Sequence, residues 1–355
     1  MQHLQPVLYL LGRDKTHGHR CAGAVRIPAR GAEAHHILAD PDRLPGHDIG
    51  VIGIDTPVKY GLSVEDMDFL ALTSHQISAG IEKSNLFTRT EELAQLEVAN
   101  SGHTIGNARW EAGNVRDVLA YYAGAPERLF GRQIPVAGGV DMTFHEPIGV
   151  VGIIVPWNFP MPIAGWGFAP ALAAGCTVVL KPAEVTPLTA IRLGELALEA
   201  GIPEGVFTVI PGKGSVVGER FVSHPLVRKV VFTGSTEVGE RIMAGCAPQI
   251  KRVTLELGGK SANIVFADAD LERAAATAPY GVFDNAGQDC CARSRILVER
   301  SVFDRFMGLL EPAVAGVRVE DPALDSSEMG PLITAAHRET VASYVDDAQV
   351  AFRGS

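Results

Sequence analysis

The hydrophobic pattern changes character at about residue 91. From there to about residue 260, short apolar runs alternate with segments whose apolar residues recur at helical spacing. The apolar runs predict buried strands at residues 148–156, 177–182, 206–212, 229–234 and 252–259. Strands that alternate with helices are typical of a mostly parallel sheet with helices on both faces. The pattern therefore predicts an α/β fold.

Amphipathic segments predict the helices around these strands. "EELAQLEVANSG" (91–102) and "NVRDVLAYYAG" (114–124) precede the first strand. In "TPLTAIRLGELALEAGIP" (186–203), Thr186 is predicted as the N-cap and Pro187 as the first helical residue. Gly201 and Pro203 then mark the end of this helix.

The chain before residue 91 has a different organisation. Residues 1–45 show no steady period and stay unassigned as a low-order segment, and its "HGHRC" (17–21) is read as solvated rather than as a metal site. Residues 46–90 predict a buried strand, "IGVIGID", then a turn and a helix capped by Ser63. This strand and helix resemble the carboxyl end of a GAF domain, a small-molecule-sensing module.

Composition and charge limit the classes of function. The 355 residues are 46% apolar and 20% charged, which is typical of a soluble globular chain of two or three domains. A net charge of −10 without a basic block gives no electrostatic support for binding nucleic acid or an anionic membrane. The uncharged stretch from Pro147 to Leu180 contains four internal prolines, so a continuous membrane helix is not expected. The start does not resemble a signal peptide. The cysteines are few, odd in number and mostly scattered, which fits a reducing cytoplasm.

Residues 286–294, "AGQDCCARS", carry two adjacent cysteines, Cys290 and Cys291. A disulfide between neighbours would be strained, and a reducing compartment disfavours it. A metal site needs more ligands than the nearby sequence offers, so no metal is predicted. Free cysteine is among the most buried residue types, and the pair taken alone favours ordinary core sulfur over a nucleophile.

Four further motifs precede this pair: "PWNFP" (156–160), "KPAE" (181–184), "FTGSTEVG" (232–239) and "LELGGKS" (255–261). In order and spacing they and "GQDCCA" (287–292) resemble the aldehyde dehydrogenase superfamily, from about Glu91 onward. The resemblance implies a Rossmann-like NAD-binding domain and an incomplete α/β catalytic domain. It also implies Cys290 as nucleophile, Cys291 as bystander, Glu256 as general base and Asn158 as oxyanion donor. The implied substrate is a small aldehyde.

The chemistry of aldehyde oxidation explains these residue types. A thiolate that adds to the carbonyl makes a tetrahedral thiohemiacetal, whose oxyanion drives hydride from carbon. An amide and a backbone N–H stabilise that oxyanion, and a carboxylate activates the water that hydrolyses the resulting thioester. Each residue also has a structural alternative. Glu256 alone could pair with Lys260, and an asparagine between prolines could only form a turn.

The cofactor is expected at the "FTGSTEVG" turn, where a strand leads into a helix whose first N–H groups suit a pyrophosphate. The resemblance implies that Lys181 and Glu184 occupy the positions that bind the adenosine ribose. A carboxylate there accepts from the ribose hydroxyls and repels a 2′-phosphate, so NAD is predicted over NADP. The expected cofactor-binding residues are Pro156, Trp157, Lys181, Glu184, Gly214, Thr233, Gly234, Ser235, Val238 and Leu257.

The resemblance also assigns domains. Residues 91–133 and 149–256 are expected to form the NAD-binding domain, and 257–355 an incomplete catalytic domain. Residues 134–148 are expected to form a hairpin that supports a homodimer or homotetramer. The family commonly has a lysine where this sequence has Gly167. The sequence stops at "VAFRGS", before any Glu-x-Phe-Gly-Pro motif, so weak activity is expected. A regulatory fusion of the GAF-like segment to an inactive fragment is the alternative.

Overall fold

A computed structural model describes residues 4–12 and 89–346. Five parallel strands form the central sheet: β4 (Val150–Ile154), β5 (Thr177–Lys181), β6 (Phe207–Val209), β7 (Val227–Gly234) and β8 (Arg252–Leu257). Their spatial order is β6-β5-β4-β7-β8. The parallel α/β fold predicted from the hydrophobic pattern is confirmed.

Helices cover both faces of this sheet. The described α-helices are α1 (Thr90–Ser101), α2 (Ile105–Ala123), α3 (Pro160–Ala173), α4 (Leu188–Glu199), α5 (Glu219–Ser223), α6 (Thr236–Cys246), α7 (Leu271–Thr277), α8 (Tyr280–Phe283), α9 (Phe303–Ala315) and α10 (Ala335–Asp346).

Side chains alternate along a strand, so β4 contributes Val151 and Ile153 to one apolar core. Val150 and Ile154 of the same strand pack against the other core. The first core lies under α2, α3 and α4, and the second under α5 and α6.

A separate antiparallel sheet has the order β1-β3-β2, formed by β1 (Leu4–Gly12), β2 (Gln133–Val136) and β3 (Gly139–Pro147). Gly138 turns the hairpin between β2 and β3 with φ 79°, a left-handed conformation that favours glycine. β2 and β3 thus form an antiparallel hairpin in the region 134–148; that this hairpin supports an oligomer stays a prediction. The sequence pattern predicted no strand at residues 4–12, which pair with β3 from Leu4↔Pro147 to Gly12↔Gly139.

The chain after β8 builds a smaller unit. Strands β9 (Ala262–Val265) and β10 (Arg295–Val298) pair in parallel. Helices α7 and α9 pack with them around their own core, in which the Phe306 side chain is fully buried. The segment between β9 and β10 carries the adjacent cysteines.

The start of α4 (Leu188–Glu199) differs from the start predicted from the sequence. Its first residue is Leu188 and Pro187 occupies the N-cap position, so the helix begins one residue later than expected. Thr186 makes no cap; its buried hydroxyl has no hydrogen-bond partner. Asn100 of α1 supplies the cap instead, because its Oδ1 accepts from the Leu188 N–H at 3.0 Å. The turn at Gly201, with φ 90°, ends the helix as predicted.

The uncharged stretch from Pro147 to Leu180 is divided among β3, β4, α3 and β5, as its prolines indicate. Within the described ranges, no helix is long and apolar enough to span a bilayer. The GAF-like strand and helix of residues 46–87 and the "HGHRC" cluster lie outside the described residues.

Candidate active site

The loop that carries Cys290 is held by its own motif residues. Gly287 has φ 78°, a conformation in which glycine is strongly favoured, and Ala286 before it has φ 53°. Gln288 is buried; its Nε2 donates to Asn285 O at 3.1 Å, and its Oε1 accepts from Ile333 N at 2.9 Å. The Gly-Gln pair therefore forms the turn and anchors it, and Cys290 follows at the exposed side of the loop.

Asn158 lies against this loop. Its Nδ2 donates to Gln288 O at 2.9 Å, and its own carbonyl accepts from Asn285 Nδ2 at 2.8 Å. These two hydrogen bonds join the end of β4 to the cysteine loop across about 130 residues of sequence. An asparagine amide carries two N–H groups, and Gln288 O engages one of them. The structure therefore brings Asn158 and the Cys290 loop together.

The electrostatic environment of the two thiols opposes ionisation. Burial, followed by the Asp289 carboxylate, raises the pKa of the Cys290 thiol above its ordinary value. Asp289 raises the pKa of Cys291 to about 11, chiefly because the Cys291 thiol donates to its Oδ1 at 3.2 Å. The Cys291 N–H is also engaged by Asp289, at 3.1 Å. A cation near Cys290 would be needed to favour its thiolate.

Asp289 was not singled out in the sequence. Its carboxylate and the two sulfur atoms lie within 4.8 Å of one another, so three atoms of metal-ligand type meet here. Closed structural zinc sites commonly use four such ligands. The absence of a metal site stays a prediction.

Glu256 lies at the carboxyl end of β8, opposite Thr233 of β7 in the sheet register. Within the described ranges, no ion pair joins it to Lys260, whose Nζ donates instead to Gly259 O at 3.3 Å. The turn that follows β8 approaches the nucleophile, because a Cβ added to Gly259 would lie 3.7 Å from Cys290 O. Glu256 is exposed, on the strand that leads into this turn.

The expected cofactor residues lie along one edge of the central sheet. β4, β5, β7 and β8 are parallel, so Pro156, Lys181, Thr233 and Leu257 all lie at or beyond their carboxyl ends. The chain order reverses between β4 and β7, since β5 and β6 extend to one side and β7 and β8 to the other. Open α/β sheets bind ligands in the crevice at this switch point.

Lys181 and Glu184 both lie near Gly214 on the β5 side of the crevice. Glu184 Oε1 accepts from Gly214 N at 2.9 Å, and a Cβ on Gly214 would lie 4.0 Å from Lys181 Cε. Lys181 is buried and its Nζ donates to Pro182 O at 2.7 Å. Burial lowers the pKa of Lys181, and the nearby Glu184 carboxylate opposes that shift.

The β7 side of the crevice ends in the start of helix α6. Ser235 is the N-cap, and its hydroxyl accepts from Val238 N at 3.4 Å. Gly234 is required by close packing, because a Cβ there would lie 2.5 Å from the Phe232 ring. On the β4 side, Trp157 packs edge-on against the His337 ring at 5.2 Å.

Gly167 of α3 faces β4. A Cβ at this position would lie 3.0 Å from two carbon atoms of the Ile153 side chain. A lysine, which the family commonly has here, would require the surrounding core to shift. Because Gly167 has no side chain, position 167 offers no proton-transfer group in this chain.

A buried pair that the sequence analysis missed packs against Phe159, the residue after Asn158. His103, between α1 and α2, is hydrogen-bonded through Nδ1 to Glu111 Oε1. The His103 ring also packs edge-on against Phe159, with centroids 5.5 Å apart. Burial raises the pKa of Glu111 to about 7. The pKa of His103 is raised despite the opposing effect of burial, because the Glu111 and Glu97 carboxylates and the Asn158 backbone favour its protonated form. Only the eight-residue separation of the pair was visible in the sequence.

Comparisons with known proteins agree with this arrangement. The aldehyde dehydrogenase family model matches residues 83–351. The peroxisomal aminoaldehyde dehydrogenase 2 of Pisum sativum is 40% identical over 263 residues, which cover 73% of this chain and 52% of the plant protein.

Solved structures give the same family. An NAD-dependent aldehyde dehydrogenase from Sinorhizobium meliloti has a TM-score of 0.75 and 44% identity, covering 78% of this chain and 55% of that one. A betaine aldehyde dehydrogenase from Staphylococcus aureus, in complex with NAD+, has a TM-score of 0.76 and 38% identity, covering 80% and 57%. The chain spans about half the length of these relatives. The matched residues include the whole crevice and the cysteine loop, and this chain belongs to the aldehyde dehydrogenase family.

Proposed function

We propose that this chain oxidises a small aldehyde to a carboxylate with NAD, using Cys290 as the nucleophile. The observation that carries the proposal is the contact of the Asn158 amide with the Cys290 loop at the carboxyl edge of the sheet. This contact supports the proposal because it brings the segment of the proposed oxyanion donor against the loop of the proposed nucleophile, next to the crevice where α/β sheets bind nucleotides.

The residues of the crevice fit a dinucleotide. Gly234 and the first turn of α6 present N–H groups of the kind that bind a pyrophosphate. Glu184 keeps a second carboxylate oxygen for the ribose hydroxyls, while its first accepts from Gly214. That negative charge favours NAD over NADP, and the Staphylococcus aureus relative was solved with NAD+. The other expected contacts are Pro156, Trp157, Lys181, Thr233, Ser235, Val238 and Leu257.

In the proposed reaction, Glu256 accepts the thiol proton of Cys290, and the sulfur adds to the aldehyde carbon. The second N–H of Asn158 and the Cys290 backbone N–H then bind the oxyanion of the thiohemiacetal, which typically contributes about 3–4 kcal/mol per donor. The crevice residues would hold NAD+ so that it supplies a hydride acceptor for the substrate carbon and a positive charge that offsets the effect of Asp289 on the thiol. Glu256 must then release the first proton to solvent, after which its carboxylate accepts a proton from water. The water oxygen attacks the Cys290 thioester, the carboxylate product leaves, and the departing sulfur regains a proton.

The domain assignment and assembly are part of the proposal. Residues 91–133 and 149–256 would bind NAD, and 257–355 would form part of the catalytic domain. The hairpin at 134–148 stands apart from the central sheet and exposes β2, which suits pairing into a homodimer or homotetramer. A cytoplasmic location is also part of the proposal; the four cysteines of the described residues are free thiols, which a reducing compartment favours.

The test compares two cysteine variants of the 355-residue chain. NADH formation from NAD+ and propanal is measured at 340 nm for Cys290→Ala and Cys291→Ala. The first should abolish turnover, because it removes the acyl-carrying sulfur. The second should largely retain turnover and serves as the matched control. Equal loss in both variants, or a wild-type chain that forms no NADH, would refute the proposal.

A further inference from the structure

We propose that His103 and Glu111 form a buried positioning pair that holds the Phe159 ring and thereby fixes the neighbouring Asn158, whose amide is the proposed oxyanion donor. The proposal rests on the proposed function for its catalytic consequence. Its structural part, the restraint of residues 156–160, stands on geometry alone. Neither residue would touch the substrate.

The pair is fully enclosed. His103 is 4% exposed and Glu111 is 0% exposed, and the two side chains are hydrogen-bonded to each other. Burying charged or polar groups costs free energy unless they are paired. Glu97 of α1, also buried, is the other described charge that acts on His103. One oxygen each of Glu97 and Glu111 has no hydrogen-bond partner.

The His103 ring is bound by one side chain and packs against another. Its Nδ1 is hydrogen-bonded to the Glu111 carboxylate, and its centroid lies 5.5 Å from that of Phe159, the residue after Asn158. The Asn158 backbone also favours the protonated ring, which raises the pKa of His103. The hydrogen bond to Glu111 therefore fixes the orientation in which the ring contacts Phe159.

Two separate parts of the chain restrain Asn158. Asn285 and Gln288 of the cysteine loop bind its carbonyl and its amide, at 2.8 and 2.9 Å. The His103 ring packs against Phe159, the next residue. Loss of the His103 contact lets the backbone of this segment shift while the loop bonds remain, and catalytic geometry is sensitive to shifts of about 1 Å.

The decisive variant replaces both members, His103→Phe with Glu111→Leu. A single replacement would leave a buried group unpaired and risk unfolding, whereas an apolar pair of similar volume is often neutral in stability. The double variant should fold, with kcat reduced about tenfold, which corresponds to about 1.4 kcal/mol. The KM for propanal should change little, because the pair does not contact the substrate.

Two further measurements separate positioning from simple structural support. In an Asn158→Ala background the double replacement should cost no further activity, because the group that it aims is already gone. Glu111→Gln should keep kcat near the wild-type value, since its amide can donate to Nδ1 of a neutral ring and hold the ring in the same orientation. His224→Gln is the matched histidine control, because this half-buried ring accepts a bond from Leu226 N, away from the site.

Hydrogen exchange keeps the test independent of turnover. In the double variant, the amides of Trp157, Asn158 and Phe159 should exchange faster than in the wild type, and in His224→Gln they should not. Unchanged exchange, or additive losses of kcat with Asn158→Ala, would overturn the positioning role. If the wild-type chain forms no NADH, the proposed function fails, and hydrogen exchange alone still decides whether the pair restrains Asn158.

Discussion

Asn285 connects the stability of the cysteine loop to the position of Asn158, and its replacement by leucine tests that connection. The side chain is 6% exposed. Its Nδ2 donates to Asn158 O at 2.8 Å and to Gln288 O at 3.3 Å. Leucine has nearly the same shape, so Asn285→Leu removes these hydrogen bonds without opening a cavity.

The expected magnitude follows from these two bonds. A typical intramolecular hydrogen bond contributes about 0.5–1.5 kcal/mol net, and a buried group left wholly unsatisfied costs about 1–3 kcal/mol. Gln288 O keeps a second donor, the Asn158 amide, so it is not orphaned. Loss of the two bonds should therefore lower the free energy of unfolding by about 1–3 kcal/mol. Urea unfolding followed by circular dichroism measures this difference.

Asn107 provides the matched control. Its Nδ2 also makes two hydrogen bonds, to Asp284 O at 2.9 Å and to Asp284 Oδ1 at 3.2 Å, but these groups are exposed. Water replaces such bonds, so Asn107→Leu should change the free energy of unfolding by no more than about 0.5 kcal/mol. Equal effects of the two leucine variants would refute the claim that Asn285 is an energetic link between β4 and the loop.

Two other substitutions test the electrostatics of the site. Glu184→Gln keeps an acceptor for Gly214 N but removes the charge that would repel a 2′-phosphate. The ratio of kcat/KM with NAD to kcat/KM with NADP should therefore fall about tenfold, or about 1.4 kcal/mol. An unchanged ratio would contradict the role of Glu184. Asp289→Asn removes the carboxylate that raises the pKa of both Cys290 and Cys291, so thiol alkylation by iodoacetamide should accelerate at lower pH than in the wild type. A pH profile that does not move would show that Asp289 does not control these thiols.

Much of the fold is encoded in local patterns. The apolar runs of β4, β5, β6, β7 and β8 are short and separated by amphipathic helices, so a parallel sheet followed directly. The cap of α4 was predicted wrongly because Asn100, which is 88 residues away in sequence, supplies an acceptor that no local pattern reveals. Residues 4–12 form a strand only through pairing with β3, which is equally non-local.

The candidate site also contains residues that a local motif reveals and residues that only the fold reveals. Gly287 and Gln288 belong to a recognisable motif, and the structure gives each a physical role in the turn and its anchor. His103, Glu111 and Asn285 carry no motif. Their importance comes from burial and from contacts with Asn158 across the fold, which a single sequence cannot show.

Direct detection of an acyl group on Cys290 tests the proposed chemistry most closely. The 355-residue chain is mixed with NAD+ and propanal, quenched with acid within the first turnover and digested for tandem mass spectrometry. The proposed mechanism predicts a propionyl mass on Cys290, in step with a burst of NADH and absent without NAD+. An acyl group on Cys291, or NADH formed with Cys290 never acylated, would contradict the assignment of the nucleophile.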